Sequence, residues 1–206
     1  LTTLFVTAAG TDVGKTFVTL ALLAALASEG RNARALKPVA SGFDATAPET
    51  SDSGRLLLAQ GRRLDEAELA AVSPWRFSAP LSPDMAAARE GRRIDFEALV
   101  RFSRGAPAED PELTLIEGIG GVMVPLDERH TVLDWIAALA CPVLLVAGSY
   151  LGTLSHTLTA AGMLAARGCR PAGVVVSESV EQPIPPEDTA AVLRRFLHPT
   201  PVAALH

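Results

Sequence analysis

The sequence predicts an α/β fold, a mostly parallel sheet with helices on both faces. Short apolar runs bounded by Gly or Pro alternate with longer helical stretches, the pattern of strands joined by crossover helices. The chain opens on one such run, which passes through a Gly-containing loop into an apolar helical stretch. Its 206 residues and 49% hydrophobic content suit one domain with a sizeable core, since domains usually hold about 100–200 residues.

Taken in order, Thr3–Thr7 reads as the first buried strand, followed by the loop and a helix over Lys15–Ser28 that stops at Gly30. Ala33–Lys37 reads as a second strand, ended by Pro38. Leu113–Glu117, Val143–Ala147 and Gly173–Val176 read as three more. Helices are expected near Phe96–Arg104, Val132–Ala140, Leu154–Arg167 and Glu187–Phe196. Gly118–Leu126 reads as loop or short extended structure, Pro183–Pro186 as a loop, and any strand after Pro201 as short. The stretch from Phe43 to Pro83 is rich in Pro, Ser and charge, and reads as an irregular insertion over one edge of the single domain 1–206.

Charge and composition narrow the function. A formal net charge of −5 argues against a sequence-independent grip on nucleic acid, which needs clustered basic residues. No segment reaches the roughly 18 uninterrupted apolar residues that span a bilayer. The start has no basic stretch of a signal peptide, so a cytoplasmic protein free of membrane is expected. Cys141 and Cys169 show no metal-ligand spacing and read as small buried hydrophobes. Sixteen of the eighteen basic residues are Arg, and the only lysines are Lys15 and Lys37. An ammonium is a compact, strongly hydrated point charge suited to phosphate. Both lysines fall inside motifs.

The first motif is Ala9-Gly10-Thr11-Asp12-Val13-Gly14-Lys15-Thr16, between the first strand and the first helix. In a P-loop the backbone N–H groups and helix N-terminus cradle phosphate oxygens, the Lys reaches the β- and γ-phosphates, and the Thr hydroxyl binds Mg²⁺. Ala9 stands where the first Gly of the strict pattern belongs, which demands an ordinary backbone conformation there. Strand, loop, Gly-Lys-Thr and apolar helix in this order predict a P-loop NTPase-like three-layer sandwich.

The second is Lys37-Pro38-Val39-Ala40-Ser41-Gly42, directly after the second strand. Strand carboxyl ends line the ligand crevice of an open α/β sheet, so Lys37 is expected beside the phosphate loop. Read locally, it is equally a lysine at a solvated strand end. The third is Leu115-Ile116-Glu117-Gly118-Ile119-Gly120-Gly121, an apolar strand ending in an acid and glycines. Glu117 there can coordinate Mg²⁺, or be an exposed charge at a turn. Asp52, at a helix start, reads locally as an N-cap. The last is Gly148 to His156, where free N–H groups at a helix start favour a carboxylate ligand, or a Thr or Ser simply caps the helix. His156 reads as packed or solvated.

Together these motifs resemble dethiobiotin synthetases over roughly Leu1–Ser179. The Lys37–Gly42 stretch, Ile116–Gly121, Leu151–His156 and Ser78–Pro83 carry the resemblance more specifically than the phosphate loop does. It implies a ligase that joins CO2 or bicarbonate to 7,8-diaminononanoate as a carbamate, phosphorylates it with ATP, and closes a ureido ring. It implies an ATP site of Thr11, Asp12, Val13, Gly14, Lys15, Thr16, Asp52, Glu117, Gly118, Ile119, Gly120 and Ser177, with Mg²⁺ on Thr16, Asp52 and Glu117. Lys37 matches the active-site lysine, and Lys15 the lysine on the γ-phosphate. Ser41, Leu151, Gly152, Thr153 and Ser155 would hold the substrate, and a homodimer is implied. Ser177-Glu178 stands where the family often has an Asn reading adenine, and the chain stops earlier than most relatives; both imply relaxed base selectivity. Two other functions compete with this one. A related ATP-dependent amide ligase would join a carboxylate and ammonia, and the sequence weakens that reading by showing neither a glutamine-hydrolysing domain nor a nucleophilic cysteine motif. A nucleotide-switched partition or scaffold ATPase typically has a second lysine where Ala8 and Ala9 stand here.

Overall fold

The computed structural model describes residues 2–105, 111–179 and 185–205. Among the described residues six parallel strands form the main sheet: β1 (Thr2–Ala8), β2 (Ala33–Leu36), β5 (Leu113–Glu117), β6 (Val143–Ala147), β7 (Gly173–Ser177) and β8 (Val202–Leu205), in the order β2-β5-β1-β6-β7-β8. The helices are α1 (Lys15–Ser28), α2 (Asp52–Ala59), α3 (Glu66–Val72), α4 (Pro83–Arg89), α5 (Phe96–Arg104), α6 (Val132–Leu139), α7 (Thr153–Ala166) and α8 (Pro186–Leu197). Alternate residues of the central strands feed separate cores. Val6, Ala8 and Leu115 pack with Val18 and Leu23 of α1, while Phe5, Ile116 and Leu145 pack with Leu99, Trp135 and Leu164 of α5, α6 and α7. Helices therefore cover both faces, as the apolar strands required. Among the described residues no helix is long and apolar enough to cross a membrane.

The stretch 43–83, expected to be irregular, is ordered into a 3-10 turn (Pro48–Thr50), α2, α3 and β4 (Trp75–Phe77). β4 pairs in parallel with β3 (Val39–Ser41), a second sheet of two strands. At the end of α2, the Gln60 amide donates to Ala35 O at 3.2 Å and its carbonyl accepts from Ala35 N at 2.9 Å, occupying backbone groups of edge strand β2. Cys141 and Cys169, expected to be buried, are half-buried and free, because both follow helix ends at the rim; burial still pushes both thiols up. Of the expected Pro183–Pro186 loop, residues 183 and 184 lie outside the described residues, and Pro186 opens α8.

Candidate active site

The register of the sheet assembles the site. β2 and β5 pair with Leu36 opposite Ile116, so Lys37 leaves the sheet beside Glu117. β5 also pairs with β1, Glu117 opposite Val6, which brings this acid under the loop that follows Ala8. Asp12 (φ 54°) and Gly14 (φ 90°) are left-handed, and Ala9 is not, as its side chain demanded. Gly14 opens α1 without a side-chain cap, so the first N–H groups of the helix remain available for an anion. A Cβ on Gly121 would sit 3.4 Å from Gly10 Cα, so the second glycine loop rests directly on the first.

At the centre lie three polar side chains, Thr16, Asp52 and Glu117, and two ammonium groups, Lys15 and Lys37. Thr16 Oγ1 donates to Glu117 Oε1 at 2.7 Å, and Glu117 is fully buried. Lys37 Nζ donates to Glu117 Oε1 at 2.7 Å and Gly118 O at 3.0 Å, and pairs with Asp52 Oδ2 at 3.2 Å. Glu117 Oε2 is buried with no hydrogen-bond partner among the described residues. Such an atom is costly unless a donor or cation meets it. Lys15 Nζ donates to Gly10 O at 3.2 Å.

The two lysines feel opposite fields. Burial, and then repulsion from Lys37, lower the Lys15 pKa from 10.5 to about 8 against the pull of Glu117 and Asp52. Burial also works against the Lys37 ammonium, but the charges and hydrogen bonds of Glu117 and Asp52 prevail and raise its pKa above the ordinary lysine value. Burial opposes ionisation of Asp52, yet the Lys37 ammonium, with the Thr16 hydroxyl close by, holds its carboxyl below the usual range.

These groups line or underlie one cleft of about 460 Å³, together with Thr11, Asp12, Gly14, Ser41, Ile119 and Gly120. Lys15, Lys37, Thr16, Asp52 and Glu117 thus converge. Val13 belongs to the core beneath the loop. Ser177 is buried against the loop, its Oγ 2.3 Å from where a Gly14 Cβ would stand, and it does not line the cleft. The stretch Leu151–Ser155 is not brought into the cleft either. Leu151 is 89% exposed, Gly152 is left-handed (φ 96°), and Thr153 Oγ1 is spent on Gly148 O at 2.7 Å. His156 hydrogen-bonds the Tyr150 hydroxyl through Nδ1 at 2.9 Å, a partner the sequence did not reveal. Arg55 lines the cleft as well; sequence reasoning missed it, although it falls one helical turn after Asp52.

A parallel sheet whose first strand turns through Gly14-Lys15-Thr16 into a helix, with an acid at the end of the neighbouring strand, is the architecture of a P-loop nucleotide-binding protein. The AAA domain family matches residues 2–205. The ATP-dependent dethiobiotin synthetase BioD of Acidiphilium cryptum is 51% identical over 199 residues, 96% of this chain and 89% of that protein. Its counterpart from Methylobacterium nodulans is 50% identical over 200 residues, 95% and 89% of the two chains. That of Caulobacter vibrioides is 48% identical over 196 residues, 95% and 88%. The chain belongs to the ATP-dependent dethiobiotin synthetase family, enzymes that form carbon–nitrogen bonds. Solved structures share the fold at low identity. The MinC:MinD cell division complex of Aquifex aeolicus gives a TM-score of 0.54 at 13% identity, over 96% of this chain and 73% of that one. The chloroplast FtsY of Physcomitrella patens gives 0.53 at 16%, over 98% and 56%.

Proposed function

We propose that this chain carboxylates 7,8-diaminononanoate with CO2 and closes the ureido ring at the expense of ATP in the cytoplasm, as a homodimer. The observation that carries this is the convergence of Lys15, Lys37, Thr16, Asp52 and Glu117 at the carboxyl ends of β1, β2 and β5. One substrate amine adds to the carbon of CO2 and releases a proton to solvent, leaving a carbamate. A carbamate oxygen then attacks the γ-phosphorus of ATP, the bond to the ADP oxygen breaks, and a carbamic–phosphoric anhydride forms. The second amine adds to the carbonyl carbon, loses its proton, and expels phosphate as the ring closes. Positioning and charge neutralisation supply most of such a reaction, and no covalent enzyme intermediate is needed.

In this reading the free N–H groups at the start of α1 bind phosphate oxygens, and Lys15 turns from Gly10 O to the terminal phosphates. Lys37 binds the carbamate and the group transferred to it, and Ser41, which lines the same cleft, would contact the substrate. Thr16, Asp52 and Glu117 would hold Mg²⁺. One hydroxyl and two carboxylates form an all-oxygen donor set, Glu117 Oε2 is orphaned, and no cluster of three or more His, Cys, Asp or Glu occurs among the described residues. That suits an ion completed by phosphate and water, where it would neutralise charge on the β- and γ-oxygens. Leu151 to Thr153, with Ser155, lie outside the Lys37 cleft of their own chain. We take this as support for a dimer in which that helix start of one copy receives the carboxylate of substrate held in the other.

The test is phosphate release from Mg-ATP. Turnover should require both 7,8-diaminononanoate and bicarbonate; release stimulated instead by a protein or DNA would reject the reading. Ser177 offers no amide and is buried behind Gly14, so GTP and CTP should also support turnover. A strong preference for ATP would refute that part alone.

A further inference from the structure

Helix α2 presents two charged side chains to the cleft one turn apart, Asp52 and Arg55. An Asp and an Arg at this spacing are helix-surface neighbours that ordinarily pair. Here they do not. The Asp52 carboxylate is paired with Lys37, and the Arg55 guanidinium makes no hydrogen bond or ion pair with any described residue. It lines the same cleft as Lys15 and Lys37.

The platform beneath it is fixed. Ser51 Oγ accepts from Gly54 N at 3.1 Å and donates to Pro48 O at 2.6 Å. A Cβ on Gly54 would fall 2.0 Å from Pro48 O, so the first turn of α2 is seated directly on the 3-10 turn. Leu56 and Leu57 are fully buried on the other side. Arg55 is therefore held at the rim by a rigid base rather than carried on a mobile loop.

Charge gives the rim cation a purpose. Lys15 and Lys37 face Asp12, Asp52 and Glu117, and the proposed Mg²⁺ would be taken up by Asp52 and Glu117. Arg55 adds a cation that no carboxylate of the site holds. Position selects the ligand. Gly14 touches Ser177 of β7 on one side of β1, whereas Lys37, Asp52 and Arg55 stand on the β2 side. For a phosphoryl group to reach Lys37, the triphosphate must run toward β2, so its terminal end comes to Arg55.

We infer that Arg55 is a third cation of the site and that its ligand is the terminal phosphoryl group of a nucleoside triphosphate. This rests on the reading that the cleft takes ATP. A guanidinium fork binds phosphoryl oxygens through two parallel hydrogen bonds, which an ammonium cannot reproduce.

The experiment is titration calorimetry of wild type, Arg55→Ala and Arg55→Lys with a non-hydrolysable ATP analogue and with ADP, alongside the KM values for ATP and diamine. Arg55→Ala should weaken the triphosphate on the order of tenfold to a hundredfold, the range for a lost charge-assisted hydrogen bond, and leave ADP within about twofold. Arg55→Lys should recover only part of the loss. Equal losses for both nucleotides, no loss, or a change confined to the diamine KM would overturn the assignment. A wild-type protein that binds neither nucleotide would instead reject the underlying reading. Arg55 is exposed, so the variants are expected to fold, which thermal melting checks.

Discussion

Lys15 should take up a proton when nucleotide binds, and the amount follows from its surroundings. Its pKa is lowered to about 8, so at pH 8 roughly half of the free protein carries the charge. A triphosphate brought against the ammonium favours the charged form and completes the protonation, an uptake of about half a proton per site. Lys37 is held above the ordinary lysine value and Asp52 below the ordinary carboxyl value, so neither contributes at this pH. The assay is calorimetric titration with a non-hydrolysable ATP analogue at pH 8 in buffers of different ionisation enthalpy. Lys15→Arg is the control, because a guanidinium stays charged throughout. Moving to pH 6.5 should remove most of the difference between the two proteins. The same shift has a stability consequence of opposite feel. A lysine with a lowered folded pKa binds fewer protons in the folded than in the unfolded chain between about pH 8 and 10.5, so stability climbs as pH rises through that window. Below pH 8 the buried ammonium costs about 3 kcal/mol, and Lys15→Met should raise the melting temperature at pH 7 while abolishing activity. Equal uptake by wild type and Lys15→Arg, or a less stable Lys15→Met, would show that the Lys15 ammonium is not depressed by its burial.

Other perturbations separate the roles of the neighbours. Lys37→Ala should lower turnover by about 10²–10³-fold and, unlike Lys15→Met, destabilise the protein by about 3–5 kcal/mol in a denaturant melt, because Glu117 is left buried without its cation. Near-normal turnover would remove Lys37 from the chemistry. Glu117→Gln should shift the Mg²⁺ titration of activity to higher concentration by tenfold or more, and an unchanged titration would make Glu117 structural. Gly14→Ala combines a left-handed backbone with a Cβ 2.3 Å from Ser177 Oγ, so nucleotide affinity and stability should both fall; unaltered binding would show that the loop relaxes freely.

Five strands of the main sheet were legible as short, largely apolar runs, β8 only as a short strand after Pro201, and the four helices expected from periodicity match α5, α6, α7 and α8 within a residue or two. The region 43–83 was not, for a physical reason. β3 and β4 have three residues each and exist only by pairing, Val39 opposite Trp75, which no local pattern announces. α2 carries Gly54 within its first turn, a residue that argues against a helix until its contact with Pro48 O is seen. In the site, Lys15, Thr16, Lys37 and Glu117 sit at strand or helix ends, where topology alone predicts convergence. Asp52 was ambiguous because Ser51 actually caps the helix, freeing Asp52 for Lys37. Arg55 had no signal beyond its turn from Asp52.

That an arginine-rich chain keeps an ammonium at both interior positions has a geometric basis at Lys37. An ammonium has three donors, and three acceptors surround it: Glu117 Oε1, Gly118 O and Asp52 Oδ2, at 2.7, 3.0 and 3.2 Å. A guanidinium has five donors in one plane and would leave some of them unmet in a space that is 2% exposed. The three bonds are not equal. Glu117 is wholly buried and cannot turn to water, whereas the Asp52 side chain is 45% exposed and holds the longest bond. An anionic substrate at Lys37 therefore exchanges most readily with Asp52, and the carboxylate so released lies beside the Thr16 hydroxyl, where the proposed cation would need it.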